Sequence, residues 1–464
     1  MNREKVAWLV SIVAIAMLAF WIPGSLAHRD DDYAFVKTLI DIHRQIDSNY
    51  VEPVDEDKLR IGAVNGMMGE LDPYSVYVPP ARQKEFDNLL ENSFEGVGIE
   101  LSQLENGDIQ VLSPIDDSPA FKAGVLAGDI ILKVNGNELK GLKIPDVQKL
   151  IKGPLDSDVT LTVKHVDGRE VELKMKRQQI VIPTVKGYRR ADDNSWDYWV
   201  SRNPKVAYLR ITQFTSETFD KLKPALVSLL GQGMQGLILD LRFNPGGRLD
   251  QAKEVVNLFV REGVIVRTKG LHRAEEITKA TADQALPMFP MIVLVNEHSA
   301  SAAEIVAGSL KDNKRALVLG TRTYGKGSVQ EIIPMEEDGG ELKLTVAYYY
   351  LPSGRLVHKK KGATDWGVDP QIVVPMSEDA EEKVLKQQGE DELFHKPLPV
   401  ATTHPTTGPS ATRPTSAPAT QPVDNQLEAA VSTMIGSIIL NGQGQVVPST
   451  QPAPAPTSQL STSR

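Results

Sequence analysis

Four short apolar runs, at 206–211, 236–241, 291–295 and 316–319, constrain the fold of this chain more than any other feature. Each has strand length and is apolar at almost every position, the pattern of a strand buried on both faces. Helical apolar spacing at 218–230, 249–259 and 302–311 lies between them. Strand, helix and strand in repetition require crossover connections and build an α/β layer. Ligands of such layers bind at the strand ends, so the loops closing these runs are where chemistry is sought.

The rest of the chain is patterned differently. At 464 residues it exceeds what one hydrophobic core organises, and two or three folded units follow. Phe35, Leu39, Ile42 and Ile46, then Leu59, Ile61, Val64 and Met67, have the spacing of two amphipathic helices, which end at Leu71-Asp72-Pro73-Tyr74. From 94 to 176 short alternating strands (98–101, 109–112, 130–134, 159–163, 171–175) are broken by glycine turns and by helical stretches at 119–123 and 144–151. That segment reads as a compact β-rich domain. The tracts 396–424 and 447–464 are rich in Pro, Thr, Ser and Ala and read as linker and disorder. Between them 427–440 has helical apolar spacing and is expected to pack back on the core. The resulting segmentation is 1–28, 29–93, 94–176, 177–385, 386–424, 425–442 and 443–464.

A formal charge of −9, with both signs interspersed, leaves no basic field for nucleic acid. The absence of cysteine removes disulfides, thiolate metal sites and thiol nucleophiles. Arg3 and Lys5 precede an uncharged apolar run over 6–27, long enough to cross a bilayer. Basic residues on its short N-terminal side keep that end in the cytoplasm and send the remainder across. Ser25-Leu26-Ala27 leaves cleavage as a signal peptide open beside retention as an anchor, and both readings place the body outside the cytoplasm.

Three strand-end loops carry the candidate chemistry. The run at 291–295 passes through Asn296-Glu-His-Ser-Ala-Ser301 into a helix, so the Ser301 hydroxyl sits at a strand end beside free helix N–H groups. Taken alone, Ser299 and Ser301 read as N-caps. The next loop holds Lys326 between Gly325 and Gly327, which lets backbone close around the amine. A desolvated lysine has a lowered pKa and can take a serine proton without histidine. Gln330 shares a strand face with Ser328 and is expected to orient that amine. The third loop, Asp240-Leu-Arg-Phe-Asn-Pro-Gly-Gly, frees backbone donors, and Gly247 N–H with Ala302 N–H would form an oxyanion hole beside Ser301.

Other readings of these loops fare worse. Gly320 and Gly325-Lys326 match G-x-x-x-x-G-K, but Gly327 stands where a phosphate loop needs Ser or Thr, and a strand-like 328–333 follows instead of a helix. His298 lies three residues before Ser301, without an aspartate placed to orient it. No H-E-x-x-H occurs and the eight histidines are scattered, so no metal is assigned.

Ser299-Ala-Ser-Ala302, Tyr324-Gly-Lys-Gly-Ser-Val-Gln330 and Asn244-Pro-Gly-Gly247 together resemble the C-terminal processing peptidases, or tail-specific proteases, over about 33–380. Ser301 and Lys326 are 326 − 301 = 25 residues apart, the separation found in that family. The resemblance implies Ser301 as nucleophile, Lys326 as general base, Gln330 as its orienting partner, and Gly247 with Ala302 as oxyanion donors. It gives Asp312 a supporting role. Phe243, His298 and Ala303 depart from the family's frequent Asn, Gly and Ser, and His298 is expected to narrow the cleft. The segment 94–176 resembles the PDZ domain of this family. Gly96-Val97-Gly98-Ile99 matches its carboxylate-binding loop, with the helix near 147–151 as the other groove wall.

The expected architecture is multidomain α/β: an α/β catalytic core with crossover helices, a small β-rich PDZ domain and an N-terminal helical segment. The expected activity is a serine endopeptidase that captures protein C-termini and cleaves extracytoplasmic proteins through a Ser/Lys acyl-enzyme, with no cofactor. Its partners are peptide or protein C-termini and the membrane, with homo-oligomerisation open. A catalytically silent PDZ scaffold at the membrane and a nucleotide-binding protein are the alternatives.

Overall fold

The computed structural model describes residues 34, 36–394 and 424–443. The anchor or signal segment read at 1–28, most of the linker and the tail beyond 443 fall outside them. Two compact units divide at Pro79 and Pro80. In the first, α1 (36–49) and α2 (Glu56–Gly69) are followed by β1 (Val76–Val78). Asp55 caps α2 by accepting the Lys58 N–H, and His43 reaches Glu56 across the two helices at 2.6 Å. No residue of α2 is buried.

The second unit opens with α3 (Gln83–Leu90) and β2 (Ser93–Gly96) and then enters the small domain. Its elements are β3 (Ile99–Gln103), β4 (Ile109–Pro114), α4 (Pro119–Ala123), β5 (Ile130–Val134), β6 (Asn137–Glu138), α5 (Ile144–Ile151), β7 (Asp158–Lys164) and β8 (Glu170–Lys176). The sheet order is β3-β4-β5-β7-β8, with β6 on β5 and β3 at an edge. Alternation makes the core: Ile109 and Val111 of β4, Ile131 of β5 and Leu161 of β7 point inward with Val147 of α5. Short α4 is specified locally, by Ser118 accepting the Phe121 N–H, Pro119 in the first turn and left-handed Gly124 at its end. β9 (Gln178–Val181) returns antiparallel to β2, pairing Ile180 with Phe94, so the chain enters and leaves this domain side by side.

The larger domain continues through β10 (Val185–Lys186), the hairpin β11 (Arg189–Arg190) and β12 (Trp196–Asp197), β13 (Trp199–Arg202), β14 (Lys205–Ile211), α6 (Thr218–Gly231), β15 (Gly236–Asp240) and α7 (Leu249–Asn257). After β16 (Val264–Lys269) and β17 (Glu276–Lys279) come β18 (Met291–Val295), α8 (Ala302–Asp312), β19 (Leu317–Gly320), β20 (Ser328–Pro334) and β21 (Glu341–Tyr350). Finally β22 (Ile372–Val373), α9 (Glu378–Glu392) and α10 (Asn425–Gln443) close the described chain. The main sheet has the order β10-β14-β15-β18-β19-β22, parallel from β14 onward, with β13 also paired to β14. A second, antiparallel set pairs β21 with β20 and β16, and β16 with β17.

Both faces of the main sheet are covered, which is why its strands read as continuous apolar runs. In β14, Ala207, Leu209 and Ile211 face α6, α7 and α8, whereas Val206 and Tyr208 face α10. Ala430 and Met434 of α10 are fully buried there, and Met434 lies over Gly236, where an added Cβ would be 2.5 Å from its sulfur. The start of α10 is held by charge: Asp424 and Asp240 both bind the buried Arg242 guanidinium, at 2.8 and 2.7 Å. The segmentation starts the linker at 386, ahead of the Pro/Thr-rich tract at 396, but α9 runs to Glu392, where Glu392 forms ion pairs with Lys186 and Arg210, and Val384 is buried.

Candidate active site

The three strand-end loops converge on one cavity of about 260 Å³, lined among others by Gly247, Ser301, Ala302, Lys326 and Gln330. Ser301 follows β18 and immediately precedes α8, in a backbone conformation of φ 55° and ψ −116°. A non-glycine residue held there is strained, and strain of this kind collects where surrounding structure forces a side chain into a site. Its neighbour Ser299 has the structural role: its buried hydroxyl donates to Leu241 O at 2.8 Å and accepts the Asn296 N–H.

The glycine loop lies directly against this turn. Asn244 donates its side-chain amide to Ile211 O and accepts the Gly246 N–H, while Ala300 N–H donates to Asn244 O. A Cβ on Gly246 would sit 2.6 Å from Ser301 Cβ, and one on Gly247 would sit 2.1 Å from Phe214 O, so only glycine permits the approach. Among the described residues neither Gly247 N–H nor Ala302 N–H donates to an acceptor. Two unengaged donors therefore flank Ser301, one of them in the positive first turn of α8.

Lys326 is held by its backbone. Its N–H donates to Glu304 at 2.8 Å and its carbonyl accepts the Tyr349 hydroxyl, which also donates to Ser301 O at 3.0 Å. Gly325 and Gly327 pack so closely on Trp366 and His358 that a Cβ would come within 2.6 and 2.4 Å of them. This loop enters β20, so no helix N-terminus stands behind it for a phosphate. Gln330 lines the cavity, but its amide nitrogen donates to Ser328 Oγ at 2.7 Å and Thr345 Oγ1 at 3.3 Å. A bulge between Val329 and Gln330 accompanies that placement.

Two expected residues lie elsewhere. Asp312 ends α8, about 16 Å along the helix from Ser301, and accepts the Ser353 N–H. His298 does not line the cavity; it stacks on Phe243 and its Nε2 lies 3.7 Å from Glu381 Oε2, so it does not narrow the cleft.

Glu304 is the residue that pattern reading passed over. Fully buried, it accepts four hydrogen bonds: Oε1 from Thr323 Oγ1 and Gly325 N–H, Oε2 from Ser301 N–H and Lys326 N–H. Burial pushes its carboxyl above the ordinary carboxylate range, against the hydrogen bonds from Thr323, Gly325, Ser301 and Lys326 that favour the anion. Lys343 of β21 also lines the cavity, with burial lowering its pKa.

In the small domain, β2 ends at Gly96 and β3 begins at Ile99. Val97 O accepts from Ala120 N–H, and Gly98 O from Ile115 N–H and Ser118 Oγ. The Val97 and Gly98 N–H groups donate to no acceptor among the described residues. With edge strand β3 beside α5, this is a loop of free donors at the head of a groove.

Residues 205–374 match the model of peptidase family S41, 110–165 that of the PDZ domain, and 27–80 that of the activating protease CtpB N-terminal domain. A carboxy-terminal-processing protease of Bartonella bacilliformis is 40% identical over 341 residues, covering 72% of this chain and 74% of that protein. The chain belongs to the C-terminal processing peptidases of family S41. The carboxy-terminal processing protease CtpA of Bacillus subtilis is 36% identical over 371 residues, 78% of this chain and 75% of its own. The solved photosystem II D1 C-terminal processing protease is 31% identical, with coverage of 70% and 84% and a TM-score of 0.41. This S41 peptidase is thus a serine-type peptidase that carries a PDZ domain. Among its described residues no helix is long and apolar enough to cross a membrane.

Proposed function

We propose that this peptidase captures the C-terminus of an extracytoplasmic protein in its PDZ groove and cleaves the chain through Ser301 and Lys326. Neutral Lys326 takes the Ser301 proton as Oγ attacks the peptide carbonyl. The N–H groups of Gly247 and Ala302 stabilise the oxyanion, the lysine returns the proton to the leaving amine, and water hydrolyses the acyl-enzyme. The terminal carboxylate is held by N–H groups of the Gly96-Val97-Gly98-Ile99 loop while the tail pairs with β3. The single observation that carries this reading is strained Ser301 between two unengaged backbone donors, in one cavity with Lys326. Export rests on the basic and apolar pattern of 1–28. Gln330 acts from its place on Ser328 as a support for the lysine loop.

The test is digestion of an unfolded reporter, with and without an apolar C-terminal tag, by the purified full chain. Ser301→Ala and Lys326→Ala are each expected to lower cleavage at least about a thousandfold while the fold is kept. Cleavage that survives both substitutions removes the dyad. A wild type that binds the tag without cutting favours a PDZ scaffold.

A further inference from the structure

Outside the cavity, Glu297, His298 and Glu381 bring one imidazole and two carboxylates together, with ligand atoms all within 4.8 Å of one another. Glu297 and His298 lie on the turn between β18 and Ser301, and Glu381 on the first turns of α9. We propose that these three side chains bind a divalent transition-metal cation of the zinc type, which ties the turn bearing Ser301 to α9. The proposal stands apart from the catalytic reading, since none of the three lines the catalytic cavity.

The donor set is the first argument. Imidazole with carboxylates suits borderline cations such as Zn²⁺ over the hard Mg²⁺ or Ca²⁺, which prefer oxygen alone. Tetrahedral Zn²⁺ ligands lie about 3.4 Å apart, so the present spread needs a closure of about an ångström. Glu297 and His298 are exposed and can shift by that much, whereas Glu381 is fixed, its side chain only 8% exposed.

The second argument is that every donor is oriented by a neighbour, as metal ligands are. Thr321 Oγ1 donates to Glu297 Oε2 at 3.0 Å. Phe243, held at φ 60°, stacks its ring on His298 with centroids 5.6 Å apart and planes at 22°. Buried Asn296 receives the Phe243 and His298 N–H groups on Oδ1 and turns its Nδ2 to Glu381 Oε1, at 3.5 Å. Glu381 Oε2 then faces His298 Nε2 at 3.7 Å, beyond hydrogen-bond length, with room for an ion to come between them.

The experiment titrates the full chain, freed of metal with EDTA, at neutral pH. Zn²⁺ binding is followed by calorimetry, and Co²⁺ by its visible absorption. Wild type is expected to bind one ion at this site and to melt at a higher temperature when Zn²⁺ is present. His298→Ala and Glu381→Gln should each weaken binding more than tenfold, and Thr321→Val about tenfold. His272→Ala, which alters a histidine outside the cluster, should not change it. Melting in EDTA separates misfolding from ligand loss, since Glu381→Gln keeps the shape and the Asn296 contact. No saturable binding by wild type, or equal affinity in His298→Ala and Glu381→Gln, overturns the proposal.

Discussion

The Glu304 carboxylate and the Lys326 backbone N–H are 2.8 Å apart, and through this bond the first turn of α8 holds the lysine loop beside Ser301. Because the same carboxylate accepts from Ser301, Thr323 and Gly325, it positions both strand-end loops at once.

Replacing Glu304 with Gln substitutes a donor for one of two acceptor oxygens, which sets amide hydrogens against backbone N–H groups. A buried donor left unsatisfied costs roughly 1–3 kcal/mol. Glu304→Gln is therefore expected to lose at least about 2 kcal/mol in urea unfolding and to lower kcat more than tail binding. A variant with unchanged kcat would show that the four bonds are not needed to place the dyad.

Ser301 adopts φ 55°, a region that glycine enters without strain. Ser301→Gly should raise stability by about 1 kcal/mol as it abolishes cleavage. The denaturation midpoint of that variant against Ser301→Ala checks the strain directly.

Gly246 touches Ser301 through space that a methyl group would fill. Gly246→Ala should displace the serine and reduce kcat at least tenfold, with the affinity of the PDZ domain for a C-terminal peptide unchanged. Calorimetry with the peptide and single-turnover cleavage separate the two effects.

In the PDZ loop, Gly98 has φ 80° and its added Cβ would lie 2.3 Å from Ser118 Cβ. Gly98→Ala should weaken C-terminal peptide binding and remove stimulation by a tag, as read by calorimetry and by cleavage of tagged against untagged reporter.

Burial opposes ionisation of Asp240, but the Arg242 charge and hydrogen bonds, with the Tyr208 hydroxyl, hold its carboxyl below the ordinary range. A depressed acid contributes stability above its unfolded value of about 3.9 and loses it as pH falls through the folded value. Arg242→Met strands Asp240 and should cost about 3 kcal/mol or more at pH 7. The gap from wild type should narrow on acidification, because protonated Asp240 no longer needs the guanidinium. Urea midpoints at pH 7 and pH 3.5 measure it.

Much of this peptidase was legible before its structure. The continuous apolar run at 206–211 and the helix after Ser301 follow from apolar pattern and capping, and the start and end of α4 from Ser118, Pro119 and Gly124. Glu304 left a signal as well, since Ser301-Ala-Ala-Glu304 has capping-box spacing. What that spacing could not reveal is that the carboxylate also reaches Thr323, Gly325 and Lys326, some twenty residues away. Gln330 lies on the strand where the pattern put it, but its bonds to Ser328 and Thr345 depend on a bulge and on the neighbouring strand. The boundary at 385/386 cut α9 short, because a charged helix shows little apolar period until its counterions, Lys186 and Arg210, are brought to Glu392.

The sequence alone determined the family, the layer class and the three loops, because these depend on local patterns: apolar period, caps, and glycines where backbone must pass closely. Only the tertiary structure decided which serine is engaged in structure, where Asp312 and His298 lie, and which carboxylate joins the loops. Those outcomes turn on distances of about 3 Å between side chains far apart in the chain, which packing sets and periodicity does not encode.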